Sequence, residues 1–175
     1  MKPDFRLARP QEAGQLPSIE QSAAQAFLGI KGLAWIAEHG VLSAADHLAF
    51  IAEGLDWLVV DEQDMPLGFL CACVQGDALH IEELAVDHAY QGQGLGRRLI
   101  AHVRDWAQGQ GFTALTLTTF VEVPWNAPFY TRLGFVALDD GQMSDFLRRQ
   151  LVYEHSRGLQ GRCAMRQMLG EALFL

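Results

Sequence analysis

The sequence predicts an α+β fold in three layers, with a mixed, mostly antiparallel central sheet flanked by helices. Three observations predict it. Apolar, strand-like runs follow one another between Trp57 and Val86 with only short turn sequences between them. Stretches with helical spacing of apolar residues precede and follow that block. Further strand-like runs recur downstream, separated by one short and one longer helical stretch. No repeat, low-complexity tract or linker divides the 175 residues, so a single domain over 1–175 is expected, long enough for one sizeable core.

In chain order, Phe5 to Ala8 reads as a first strand and Glu12 to Phe27 as a helix with Ile19, Ala23, Ala26 and Phe27 on one face. Pro17 does not suit a helix interior and marks a restart. Gly29, Gly32 and Gly40 break the next stretch, leaving a short helical piece from Leu33 to Glu38. Ser43 with Asp46 caps the start of a helix from Ala44 to Glu53, and Gly54 ends it. Trp57–Val60, Leu67–Val74 and Ala78–Val86 form an antiparallel meander around turns at 62–66 and 75–77. A helix then runs from Leu95 to Gln108, with Leu95, Leu99, Val103 and Trp106 as its buried stripe and Gly109 and Gly111 ending it. A strand from Ala114 to Thr119, a helix within Trp125–Leu133 and a strand Phe135–Leu138 come next. Residues 139–161 read as loop plus a helical stretch, and Arg162 to Leu169 as a final strand.

Composition narrows the function classes. Half of the residues are hydrophobic and 19% are charged, as in folded globular chains, and no apolar run is long enough for a transmembrane helix. The first residues, MKPDFRLARPQEAG, lack the apolar core of a secretion signal, so a cytoplasmic location is expected. A net charge of −8 disfavours nucleic acid and acidic membrane surfaces and is compatible with a cationic substrate. Cys71 and Cys73 point to one strand face and Cys163 stands alone. That pattern gives neither a disulfide framework nor zinc spacing, and no metal is expected.

Chemistry concentrates between Ala78 and Gly96, ALHIEELAVDHAYQGQGLG. A strand ends in a loop, Gln91-Gly92-Gln93-Gly94-Leu95-Gly96, that opens a helix. Glycines there let backbone N–H groups approach a ligand, and the positive end of the helix dipole suits a phosphate or pyrophosphate. The spacing is GxGxG, not the GxGxxG of dinucleotide folds, and no GK[ST] of a Walker A loop is present. A plain structural turn explains the glycines alone equally well.

The wider run LAVDHAYQGQGLGRRLI resembles the acetyl-CoA-binding motif of the GNAT superfamily of N-acetyltransferases, (Arg or Gln)-x-x-Gly-x-(Gly or Ala), filled by Gln91, Gly94 and Gly96. Downstream, NAPFYTRLGF from Asn126 to Phe135 resembles the family's Asn…Phe-Tyr…Gly-Phe segment, and the two matches come in the family's order. The resemblance spans roughly Leu67 to Leu138 and implies a GNAT-like acyl-CoA N-acyltransferase fold.

It further implies that Gln91, Gly92, Gln93, Gly94, Leu95 and Gly96, with the N–H of Arg97, hold the pyrophosphate of coenzyme A. Leu84, Ala85 and Val86 would pair with the pantetheine arm beside a bulge where two strands splay, and polarise the thioester carbonyl. Asn126 would contact the same arm, or cap its helix, or both, and Tyr130 would protonate the leaving thiolate. Tyr130 would otherwise be a core aromatic with a bonded hydroxyl.

Acetyl transfer to an amine also needs a base. Glu83, Glu82 and His80 are the candidates; Glu83 is favoured for its place beside the splay, although a bulge makes strand parity uncertain. Either carboxylate could equally be a solvated or ion-paired strand residue. Arg97 and Arg98 could reach phosphates or lie on the surface, and His88 and His102 are expected to face solvent. Cys71 and Cys73 precede the cofactor strand, so direct attack in a ternary complex is expected rather than an acetyl-cysteine.

The acceptor would lie against the N-terminal helices and the loops after Val121 and Leu138, which offer Trp35, Phe50, Trp57 and Trp125 with Glu38, Glu53, Asp56 and Glu122. A small-molecule amine is the first expectation, for a monomer or homodimer without nucleic-acid or membrane partners. A protein or peptide N-acetyltransferase and a non-catalytic acyl-CoA-binding sensor are the alternatives.

Overall fold

A computed structural model describes residues 1–170. The chain forms β1 (Asp4–Leu7), α1 (Leu16–Ala23), α2 (Ala44–Ala52), β2 (Asp56–Val60), β3 (Pro66–Gln75), β4 (Ala78–Val86) and α3 (Leu95–Gly109). There follow β5 (Ala114–Phe120), α4 (Ala127–Arg132), β6 (Val136–Ala137), α5 (Asp145–Ser156) and β7 (Arg162–Met168). The seven strands stand in the order β1-β2-β3-β4-β5-β7-β6. β4 and β5 pair in parallel, whereas β1/β2, β2/β3, β5/β7 and β6/β7 pair antiparallel. A parallel pair needs a crossover, and α3 lies in that connection.

Backbone contacts fall into two compact units, Met1–Cys73 with Ile81–Asp105, and Val74–His80 with the described residues from Trp106 onward. In the first, short 3-10 turns at Pro10–Gln15 and Ala24–Gly29 flank α1. Pro17 sits in the first turn of α1, where its missing N–H costs nothing, so the helix does restart there. The Ala34–Glu38 piece is also 3-10. At α2, Ser43 Oγ accepts the Asp46 N–H at 3.1 Å while the Asp46 carboxylate accepts the Ser43 N–H at 2.7 Å, a reciprocal cap.

One layer of this unit's core gathers Leu16, Ile19, Leu58, Val60, Phe69, Cys71 and Ala85, with Ala23, Leu42, Phe50 and Ile51 packed on it. Beside it, His47 of α2 is fully buried, its Nδ1 2.7 Å from Asp56 Oδ2 and its ring edge-on to Phe69. Burial pushes the Asp56 carboxyl up, against the His47 hydrogen bond that pulls it down. On α3, Leu95, Leu99 and Val103 are buried as expected, joined by Ile100 and Ala107. Trp106 is only half-buried, because the stripe follows Val103 and Ala107 instead. His102, expected in solvent, is half-buried and stacks on Phe5, 5.9 Å between ring centroids, and Arg98 lies over the same ring.

In the second unit, β7 enters between β5 and β6, with Ala114–Phe120 registered against Met168–Arg162. Residues 145–156 form α5, capped by Ser144 Oγ accepting the Leu147 N–H. The helix is tied to the sheet by a buried carboxylate. Glu154 accepts from Thr118 Oγ1 and, at 2.8 Å, from Arg162 Nε, and the Arg162 guanidinium covers the Phe120 ring.

Candidate active site

The end of β4 and the start of α3 build an anion cradle from backbone. Gly92 and Gly94 both sit at φ +76°, a left-handed conformation that other residues adopt only at a cost. Neither is crowded, since a Cβ on either would meet nothing within 4 Å, so the glycines serve the turn and leave open space above it. The first helical bond of α3 runs from the Arg98 N–H to the Gly94 carbonyl, 3.1 Å. The N–H groups of Leu95, Gly96 and Arg97 therefore precede the ladder and point out of the positive end of a 15-residue helix.

Gly96 differs from the other two: a Cβ there would lie 3.8 Å from Leu84 Cδ2 and Val86 Cγ2, pointing into the protein rather than out of the cradle. The (Gly or Ala) position of the motif thus has a steric explanation.

Gln91 opens the loop, but its side chain faces inward. Its Nε2 donates to the Val86 carbonyl at 3.0 Å and the Ala23 carbonyl at 3.3 Å, and its Oε1 meets His88 Nδ1 at 3.2 Å. Its own N–H goes to the His88 carbonyl. The donors that point out of the cradle therefore begin after Gln91, and Gln91 holds the loop to the strand end.

Three contacts on the acidic strand locate a bulge. Leu84 and Val86 approach Gly96, so they share the face under α3. Ala85 belongs to the core layer of Phe69 and Cys71, on the opposite face. Cys73 shares the face of Cys71, two residues along β3, and its thiol donates to Glu82 Oε1 at 3.0 Å. Glu82 and Ala85 thus face the same way although three residues apart, which a regular strand forbids and one extra residue supplies. The tight approach of the Ala85 carbonyl to Gly68, 2.7 Å from where a Cβ would be, falls at the same place.

Both carboxylates are half-buried, and Glu83 Oε1 accepts the Leu84 N–H at 3.1 Å. Together with Asp56 and Glu20 they press on the Cys71 thiol, whose titration is driven far up, chiefly by burial. His80 has its own partners in the second unit. It is buried, its Nδ1 is 2.9 Å from Thr116 Oγ1, its ring is edge-on to Phe146, and burial lowers its pKa to about 4.

In the second unit, Asn126 stands at the start of α4, yet its side chain makes no helix cap. Its Oδ1 accepts from Thr119 Oγ1 at 2.8 Å and the Phe120 N–H at 3.3 Å, tying α4 to the end of β5. Tyr130 is half-buried in an aromatic group, edge-on to Phe129 and Phe135. The Gly-Phe of this segment ends the helix. Gly134 at φ +96° donates its N–H to Thr131, and the Phe135 N–H reaches back to the Tyr130 carbonyl.

Of the residues expected to line an acceptor site, Trp57 and Asp56 are core, 1% exposed each, because β2 is buried along its whole length. Trp35 and Trp125 are exposed. Cys73 was foreshadowed only by sharing a strand face with Cys71, and the partners of the 87–91 loop on α1 had no local signal at all. Among the described residues no helix is long and apolar enough to cross a membrane.

Comparison with known proteins bears on the same segments. The model of the acetyltransferase (GNAT) family matches residues 21–135, more than half of the chain. The peptidyl-lysine N-acetyltransferase YjaB of Salmonella typhimurium is 29% identical over 96 residues, 55% of this chain and 60% of that protein. Aminoglycoside N(6')-acetyltransferase type 1 of Serratia marcescens is 29% identical over 97 residues, 54% of this chain and 66% of its own. The matched segment thus spans about 60% of the length of these curated relatives.

Among solved structures, the PaiA N-acetyltransferase of Thermoplasma acidophilum in complex with coenzyme A superposes with a TM-score of 0.71 at 15% identity, covering 96% of this chain and 99% of that one. The Escherichia coli ribosomal-protein-S18-alanine N-acetyltransferase gives 0.65 at 18%, covering 99% and 100%. These likenesses show the fold. By the family match, the chain belongs to the acetyltransferase (GNAT) family.

Proposed function

We propose that the chain is an acetyl-CoA-dependent N-acetyltransferase acting on the primary amine of a small molecule. The observation that carries this reading is the outward set of Leu95, Gly96 and Arg97 N–H groups over two left-handed glycines, a donor array matched to a pyrophosphate. The backbone at Leu84–Val86, beside the bulge, pairs with the pantetheine arm and polarises the thioester carbonyl.

The acceptor nitrogen attacks the thioester carbon, the C–N bond forms and the C–S bond breaks. Glu82 takes the proton of the amine and Tyr130 donates one to the departing thiolate. Glu82 is preferred to Glu83 because the Cys73 thiol fixes its carboxylate, whereas Glu83 bonds the neighbouring Leu84 N–H. His80 suits the role less: with a pKa of about 4 it is a weak base, and its Nδ1 is engaged by Thr116.

A protein lysine as acceptor is the second reading, supported by the identity to the peptidyl-lysine enzyme, which equals that to the aminoglycoside enzyme. Thiol release from acetyl-CoA across a panel of small amines and lysine peptides tests both. Turnover on a small amine, reduced on the order of a hundredfold in Glu82→Gln and in Tyr130→Phe, is expected. Saturable coenzyme A binding with no turnover on any amine contradicts it and favours a sensor.

A further inference from the structure

We infer that Ser22 of α1 is a positioning residue for the coenzyme A loop, the centre of a hydrogen-bonded latch between that helix and the cradle. The inference rests on the coenzyme A reading above. Ser22 lies outside both sequence motifs and 65 residues from the nearest loop residue it touches.

Its hydroxyl is used twice. The proton goes to Asp87 Oδ1 at 3.2 Å, and the oxygen accepts the His88 N–H at 3.0 Å. Asp87 Oδ1 also accepts the Ala89 N–H at 2.9 Å, which shapes the turn after β4. One residue further along α1, the Ala23 carbonyl receives Gln91 Nε2, and the same amide group reaches back to Val86. The stretch from Val86 to Gln91 is therefore held at both ends, by Ser22 at its start and by Gln91 at its finish.

Beyond Gln91 comes the pair of left-handed glycines, which have no side chains with which to hold a position. A loop that binds an anion through backbone N–H groups needs those groups aimed before the ligand arrives, since ordering them on binding costs affinity. The latch supplies that order from outside the loop. It also makes α1 and the cradle one mechanical unit, so a displacement of α1 reaches the cofactor donors directly.

Isothermal titration of the 175-residue chain with coenzyme A tests this without an acceptor. Ser22→Ala removes both bonds and is expected to weaken coenzyme A binding about fivefold to tenfold, with most of the affinity restored in Ser22→Thr. Ser18→Ala, on the same helix but with its hydroxyl bonded to the Gln15 carbonyl, is the control and keeps the wild-type dissociation constant. A Ser22→Ala protein that melts earlier yet binds coenzyme A as the wild type does would show a purely structural role and overturn the inference. Wild-type protein that fails to bind coenzyme A would instead overturn the cofactor reading.

Discussion

Gly94→Ala and Gly96→Ala place the same methyl group two residues apart in one loop, and the structure assigns them opposite outcomes. At Gly94 the added Cβ meets no atom within 4 Å, so no clash contributes; the cost is φ +76°, which an alanine adopts at about 1 kcal/mol above glycine. For a chain of this size that lowers Tm by about 2–4 °C. Relaxing the strain rotates the peptide that carries the Leu95 N–H, and a misaimed donor to a charged phosphate costs about 1.5–3 kcal/mol, at least tenfold in affinity. At Gly96 the Cβ makes ordinary contacts at 3.8 Å with Leu84 and Val86, and alanine is a better helix former by up to about 1 kcal/mol. Gly96→Ala should therefore melt no earlier than the wild type and bind coenzyme A within about twofold of it. Thermal denaturation and calorimetric titration of both variants decide the matter. The reasoning is refuted if Gly96→Ala loses cofactor affinity while Gly94→Ala keeps it.

Two further predictions concern the second unit. The pKa of His80 falls from 6.5 to about 4 on folding, so the unfolded chain binds its proton first and the His80 contribution to stability is complete above pH 6.5. It is lost as pH falls towards 4, at about 1.4 kcal/mol per pH unit inside that window, and the difference in unfolding free energy between wild type and His80→Gln should show that slope; a pH-independent difference contradicts it. Glu154→Gln leaves the Arg162 guanidinium, only 17% exposed, without its carboxylate and should cost about 3 kcal/mol, with much of it regained in Glu154→Leu/Arg162→Met; an unchanged denaturation midpoint in the single variant refutes the importance of this pair.

Local signals carried most of the fold. The cap of Ser43 and Asp46, the restart at Pro17 and the bounds of β4 all match, because caps, prolines and apolar period act within a few residues of themselves. Strand partners do not: the run Arg162–Met168 announces a strand, yet its insertion between β5 and β6 depends on contacts more than 25 residues away in sequence. The site divides in the same way. The cradle was legible because its glycines must occupy a special backbone conformation in a fixed spacing. Which carboxylate shares a face with Ala85 was not legible, since a one-residue bulge inverts the parity of Glu82 and Glu83. Asn126 looked like a helix cap and instead bonds the end of β5, a partner that only the folded chain brings near. His102 likewise carries a solvent-facing expectation that tertiary packing overrides, and Trp57, expected to line an acceptor site, lies in the core.

The most direct test of the account is a pair of titrations of the wild-type protein, one with coenzyme A and one with pantetheine, which has the same arm but no pyrophosphate. If the N–H groups after Gly94 hold the pyrophosphate, coenzyme A binds saturably and pantetheine binds at least about a hundredfold more weakly, the worth of two charge-assisted hydrogen bonds. Equal affinity for the two ligands, or no binding of coenzyme A, would contradict it.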